Sequence, residues 1–234
     1  MRKNYFLLFM LFSFFLYSFD FNASLKKIIY GEMLKFTDKR EKAEKIVSLN
    51  KFKAESALKS LSIMNLNLKS LPDFNFTDLE YLNIRNNKIE GLYYIQKFKS
   101  LKYLNASKNN IKNLYYLQSL KNLKYLDLSS NKISNTYHLS NLKNLKYLDL
   151  SKNNLENIYY IKNLKNLEYL DLSDNNLKTI PLDIKSLKNL KFLNLSRNKI
   201  ENIDFVKYMP NLKILIVKGN KLKKSYNSSV IILK

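Results

Sequence analysis

The chain has 234 residues, of which 46% are hydrophobic and 26% charged, enough apolar content for one domain or a small solenoid. It contains no cysteine, which excludes disulfide scaffolds, Cys-bearing zinc sites, thiol nucleophiles and anchoring through a lipidated N-terminal Cys. Its 41 basic and 19 acidic residues leave a net charge of +22, a balance that favours acidic partners, while 3 Gly and 3 Pro are too few for a loop-rich sandwich or a disordered tail.

The chain opens with Arg2 and Lys3, followed by an apolar and aromatic run from Tyr5 to Phe19 broken only by Ser13 and Ser18 and closed by Asp20. A charged start before an apolar segment of this length reads as a secretory signal, since a bilayer-crossing helix wants about 20 apolar residues. Residues 1–23 are therefore expected to be a signal peptide or a retained N-terminal anchor, with no clean A-x-A pattern to mark cleavage. Both readings export the rest of the chain, to the periplasm, the cell surface or the medium.

Residues 24–57 lack the period that follows. Leu25, Ile28, Ile29, Met33 and Phe36 recur at helical spacing, and Thr37 and Asp38 can cap a second helix starting near Lys39. This basic segment reads as a helical cap over the apolar end of a repeat array, which such arrays need for solubility. An amphipathic helix lying on a membrane is the alternative.

From residue 58 to residue 222 a pattern LxxLxLxxNxL recurs eight times, starting at Leu58, Leu79, Leu101, Leu123, Leu145, Leu167, Leu190 and Leu212. With the first Leu as position 1, apolar positions 4 and 6 alternate with polar residues, as in Leu126 and Leu128 around Asp127, which is the period of a short half-buried strand. Position 9 is Asn87, Asn109, Asn131, Asn153, Asn175, Asn198 and Asn220, an inward amide suited to bonding turn backbone that has no other partner. Position 11 closes the turn, and sites such as Ile158, Ile161 and Leu164 fill the return side. A single coil cannot bury these faces, so stacking drives folding. Residues 223–234 read as a C-terminal cap or tail, in which Val230 to Leu233 can add an edge strand.

The array resembles the leucine-rich repeat family. The string NLKNLKYLDLSKNNL (residues 141–155) is similar to the 22-residue class found in bacterial internalins and in the regulatory subunit of protein phosphatase 1. ALKSLSIMNLNLKSL resembles an internalin first repeat after its helical cap, with Leu66 where Asn is expected, and LKTIPLDIKSL, with one extra residue and Pro181, resembles longer extracellular repeats. The resemblance covers roughly residues 58–222 and implies an α/β leucine-rich repeat solenoid with a curved parallel sheet on its concave face. No immunoglobulin-like module or sorting motif follows the array.

Positions 3, 5 and 7 should point to the concave side. Position 3 is Tyr81, Tyr103, Tyr125, Tyr147, Tyr169 and Phe192; position 5 includes Asp127, Asp149 and Asp171; position 7 begins with Arg85 and continues as Ser. Large, stiff, half-polar tyrosines suit a protein partner, so these ten residues are the expected partner-binding set. The competing reading is that the rings simply pack on one another along the ladder. The aspartate column invites a cation, but Lys152 or Arg197 can neutralise it, and no metal or cofactor is expected.

Two lysine columns flank the strands. Lys99, Lys121, Lys143, Lys165 and Lys188 form one; Lys102, Lys124, Lys146, Lys191 and Lys213 form the other, interrupted by Glu80 and Glu168. They are candidates for an anionic polysaccharide or other polyanion, nucleic acid not being expected of an exported chain. They equally suit a solvated edge.

His138, the sole histidine, occupies a slot that is Tyr94, Tyr116 and Tyr160 elsewhere, so it reads as a repeat substitution and not a catalytic base. No nucleophile–base set or phosphate loop is present, and no enzyme is expected. The expected function is an exported protein-binding module. The alternatives are a polyanion binder, and an intracellular scaffold resembling the phosphatase regulator.

Overall fold

The computed structural model describes residues 59–74, 76–223 and 231–233. The expected signal or anchor, the helical cap and most of the C-terminal tail lie outside these residues. Among the described residues nine three-residue strands form one sheet in sequence order: β1 (Ser60–Ser62), β2 (Tyr81–Asn83), β3 (Tyr103–Asn105), β4 (Tyr125–Asp127), β5 (Tyr147–Asp149), β6 (Tyr169–Asp171), β7 (Phe192–Asn194), β8 (Ile214–Ile216) and β9 (Ile231–Leu233). All neighbours pair in parallel, and equivalent repeat positions face each other, Tyr125 opposite Tyr147 and Asp127 opposite Asp149. At β9 the pairing is Ile231 with Ile214.

The alternation seen in the sequence becomes burial. Leu123, Leu126, Leu128, Ile133, Leu139 and Leu142 of one coil are all completely buried. Each such side chain contributes about 1.5–3 kcal/mol of hydrophobic stabilisation. The return side is built from 3₁₀ turns, among them Tyr93–Lys97, Tyr115–Ser119, Tyr137–Leu139 and Leu182–Ser186. An Asn two residues before two of these turns fixes the entry: Oδ1 of Asn113 accepts from the Tyr115 N–H at 2.8 Å and that of Asn135 from the Tyr137 N–H at 2.7 Å. The extra residue of the sixth copy is absorbed on this return side, where Pro181 precedes the 3₁₀ turn at φ −64°, and strands β6 and β7 keep their register.

Why the strands stop after three residues follows from position 8. Asn86, Lys108, Ser130, Lys152, Asp174 and Arg197 all adopt positive φ between 52° and 55°, and Gly219 does so at 75°. This left-handed residue bends the chain out of the sheet plane. For an L-residue it costs roughly 1–2 kcal/mol. Its N–H, however, donates to the position 7 carbonyl of the next coil, as from Lys108 to Ser129 at 2.8 Å and from Ser130 to Ser151 at 2.8 Å.

The asparagine column then locks adjacent coils together. Nδ2 of Asn131 donates to the Ala106 carbonyl of the preceding coil and to its own Leu128 carbonyl, both at 3.0 Å, while its Oδ1 accepts from the Ile111 N–H at 3.0 Å. The same three-way pattern recurs at Asn109, Asn153, Asn175 and Asn198. These amides lie where water does not reach, so nothing else satisfies the turn.

Two stability predictions follow from these geometries. Asn131→Ala orphans one buried N–H and two carbonyls and should destabilise by about 2–4 kcal/mol in urea unfolding, with the exposed Lys132→Ala near zero. Ser130→Gly relieves left-handed strain and should raise stability by up to about 1 kcal/mol in the same measurement, whereas a loss would show that Ser130 is not strained.

Candidate functional site

The inner face is a set of stacked columns. The position 3 rings lie nearly parallel, with centroids 4.2 Å apart from Tyr103 to Tyr125 and from Tyr125 to Tyr147, 4.3 Å to Tyr169 and 4.5 Å to Phe192. Tyr81 and Tyr103 are looser, at 5.5 Å. This offset stacking sequesters much of the column: Tyr125, Tyr147, Tyr169 and Phe192 are buried, and only Tyr81 and Tyr103, at the N-terminal end, remain half-buried. Burial, with the carboxylate of Asp127 beside it, pushes the Tyr103 phenol well up. Burial does the same at Tyr125, Tyr147 and Tyr169, helped by neighbouring phenols at the first two and by neighbouring carboxylates at all three, so these rings are uncharged at neutral pH.

Position 5 has a local structural task that its chemistry explains. Oδ1 of Asp127 accepts from the Ser129 N–H at 2.9 Å and hydroxyl at 2.7 Å; Asp171 and Ser173 repeat this at 2.8 and 2.6 Å. Asp149 accepts from the Ser151 N–H at 2.8 Å. Asn83, Asn105 and Asn194 take the N–H two residues on in the same way, each at 3.0 Å, which is why Asn and Asp interchange here. Stacking three carboxylates in register is nevertheless unfavourable. Burial raises Asp149 well above the usual carboxylate range, and Asp127 and Asp171 on either side push it further. Burial likewise raises Asp127 and Asp171, opposed by their serine hydrogen bonds. Arg85 stands at the head of the column, donating from Nη1 to the Ser107 hydroxyl at 3.2 Å and lowering the cost of the Asp127 charge. Arg197 pairs its guanidinium with Asp174 outside the column and interacts more weakly with the Asp171 charge within it. Among the described residues no group of three or more acidic, His or Cys side chains is placed to hold a metal ion.

The two lysine columns are unlike. In the second, Lys102 pairs with Glu80 at 2.8 Å, and Lys146 and Lys191 both pair with Glu168 at 3.0 Å. Burial pushes the Glu168 carboxyl up, but the two lysines outweigh it and hold it below the ordinary carboxylate range. Lys124 and Lys213 of that column are exposed. Lys99, Lys121, Lys143, Lys165 and Lys188 are all exposed and carry no ion pair among those of the described residues.

A feature not singled out from the sequence lies at the 3₁₀ turns. Tyr93, Tyr115, Tyr137 and Tyr159 are 55%, 49%, 52% and 56% exposed. The rings of Tyr93, Tyr115 and Tyr137 interlock edge to face with those of the following residue and the next coil: Tyr93 with Tyr116 at 5.2 Å, Tyr115 with His138 at 5.3 Å and Tyr137 with Tyr160 at 5.0 Å. His138 is thus one ring in an aromatic ribbon. The Tyr-Tyr doublets signal it in the sequence, but their exposure depends on a turn geometry that the doublets alone do not specify.

The sheet, the asparagine column and the 3₁₀ returns define a leucine-rich repeat solenoid. Residues 100–227 match the family model of the leucine-rich repeat region, and the chain belongs to that family. Among solved structures it is similar to a leucine-rich repeat protein of Leptospira interrogans, with 31% identity, a TM-score of 0.68, and coverage of 72% of this chain and 45% of that one. It is similar also to internalin C2 of Listeria monocytogenes, with 27% identity, a TM-score of 0.68, and coverage of 75% and 80%. The plant peptide hormone receptor RGFR1, solved in complex with RGF2, shows 27% identity, a TM-score of 0.62 and coverage of 70% and 29%. The chain thus spans under half the length of the Leptospira protein and under a third of the plant receptor chain. No curated protein matches the chain.

The aspartate column predicts a pH dependence. The native state holds the Asp149 proton more tightly than the unfolded chain does, so in the window above its ordinary pKa stability falls as pH rises, and the penalty is full above the native value. Asp149→Asn keeps the bond to Ser151 and removes the charge. It should stabilise by about 1 kcal/mol or more at pH 7, or about 2–4 °C in Tm per kcal/mol, with the gain shrinking as pH falls to about 3. A gain unchanged across that range would refute the repulsion.

Proposed function

We propose that this chain is an exported binding module that holds a protein partner on its concave face, and that it catalyses no reaction. The carrying observation is the preformed inner surface: rings fixed by stacking, carboxylates by accepting the N–H two residues on, and the Ser129 and Ser173 hydroxyls by donating to those carboxylates. A surface already ordered loses little side-chain freedom on association. Its accessible end is the N-terminal one, where Tyr81, Tyr103 and Arg85 are half-buried and present ring, hydroxyl and cation together. Asp149 and the serines Ser129 and Ser151 extend that surface along the face. The buried rings of Tyr125, Tyr147, Tyr169 and Phe192 serve as its stiff floor. Similarity to internalin C2 and to a receptor solved with RGF2 supports a protein partner and an extracellular setting. So does the charged, apolar N-terminal segment. Among the described residues no helix is long and apolar enough to cross a membrane.

The exposure of Tyr93, Tyr115, Tyr137 and Tyr159 favours a second reading, in which the outer aromatic ribbon is the protein-contacting surface. One experiment separates the two. The mature protein is localised and its N-terminus sequenced, and partners are captured from that compartment with the wild type, with Tyr81→Ala/Arg85→Glu and with Tyr115→Ser/Tyr137→Ser. The concave reading expects the first variant to bind its partner at least about tenfold more weakly and the second to bind as wild type. The reverse pattern assigns the outer ribbon, and a cytosolic protein retaining Met1 overturns export.

A further inference from the structure

We propose that the column Lys99, Lys121, Lys143, Lys165 and Lys188 is a binding track for an extended anionic polysaccharide, separate from the protein-binding face. Three observations carry this. All five side chains are exposed, and no ion pair of the described residues uses them; Lys143 makes only a 3.3 Å bond to the Asn163 carbonyl. The neighbouring column is the contrast, because Glu80 and Glu168 form ion pairs with three of its lysines. Two columns on the same coils are therefore treated differently, and only one is left as continuous positive charge.

The second observation is rigidity. Each lysine sits on a turn whose carbonyl is bound by the amide of the next coil: Nδ2 of Asn122, Asn144, Asn166, Asn189 and Asn211 donates to the carbonyls of Lys99, Lys121, Lys143, Lys165 and Lys188 at 2.8–3.0 Å. The backbones of the five lysines are thus held at the strand repeat, about 4.8 Å per coil, or about 19 Å from first to last. The track ends where Thr77 and Pro210 take the equivalent position.

The third is collective charge. Successive lysine backbones stand about 4.8 Å apart, closer than the Debye length of about 8 Å at physiological salt, so their charges act as a line and not as separate points. A small anion meets one or two of them. A linear polyanion meets all five and gains from releasing its own counterions. Nucleic acid fits less well, because single strands need rings on which bases stack. Next to the strands the rings of Tyr125, Tyr147 and Tyr169 are buried; the exposed rings of Tyr93, Tyr115, Tyr137 and Tyr159 lie six residues before Lys99, Lys121, Lys143 and Lys165 along the coil, and the first three of them are engaged edge to face with rings of the next coil. A polymer of sulfated, phosphorylated or carboxylated sugars makes no such demand.

The test uses the full chain and immobilised dextran sulfate, with neutral dextran and a single-stranded oligothymidylate as comparison arms. The wild type should bind dextran sulfate, ignore neutral dextran, and lose about tenfold or more in affinity as NaCl rises from about 50 to 300 mM. The triple variant Lys121→Ser/Lys143→Ser/Lys165→Ser should lose about tenfold or more at fixed salt. Removal of equal charge elsewhere, Lys112→Ser/Lys132→Ser/Lys178→Ser, should cost less than about threefold. Should the first triple variant fail to fold by circular dichroism, the single exposed change Lys143→Glu stands in, with an expected loss of about threefold or more. Equal losses in the two triple variants, absence of binding, or tighter binding of the oligothymidylate would each overturn the proposal. None of these readouts depends on the protein partner, so this inference and the concave-face reading fail separately.

Discussion

A buried amide that serves two coils at once is the interaction on which the structure depends. Each coil leaves turn groups that solvent cannot reach, and the Asn of its own turn and that of the following coil are what satisfy them. Asn131 joins Ala106 and Ile111 of one coil to Leu128 of the next. The apolar side chains are equally interdependent, since Leu126 or Ile133 is buried only because a neighbouring coil covers it. Nearest-neighbour satisfaction of this kind makes the solenoid quasi-one-dimensional, with every strand pairing only with the coils before and after. The first coil shows the dependence plainly: it has Leu66 in place of an Asn, and both the Leu66 and Leu68 N–H groups borrow the Oδ1 of Asn87 at 3.0 Å.

Strict register has a second effect, because it stacks like on like. For rings this is favourable, and the tyrosines become a continuous column. For carboxylates it is not, and the Asp127–Asp149–Asp171 series ionises only at a cost that the alternative residue, Asn, would avoid. For lysines the outcome depends on a neighbour: a glutamate placed once per few coils pairs with three lysines of one column, while the other column carries no ion pair among those of the described residues. The same repeat arithmetic therefore yields a packed floor, a strained acidic line and two different basic edges.

Most of the fold was legible in the residues. The LxxLxLxxNxL period located strands β1 to β8, and the inward Asn was assigned its role on hydrogen-bonding grounds alone. Two things were hidden. The left-handed residue at position 8 has no sequence signature, being Asn, Lys, Ser, Lys, Asp, Arg and Gly in turn, because the next coil's carbonyl and not the side chain stabilises it. The inner tyrosines were readable as a column, but whether they face a partner or one another depends on ring-to-ring distance, which only the curvature and spacing of the coils determine. The exposed ribbon of Tyr93, Tyr115, Tyr137 and Tyr159 was obscured for a related reason: a Tyr-Tyr doublet does not itself say which of its rings the turn orients outward.

The additional residue in the sixth copy illustrates how such an array accommodates change. Pro181 and the 3₁₀ turn after it take up the added length, while Phe192 still meets Tyr169 across the sheet. Outer segments are thereby decoupled from inner geometry. Lineages of this protein can lengthen, shorten or decorate the back of a coil without disturbing the front, and a designer can graft a loop there for the same reason.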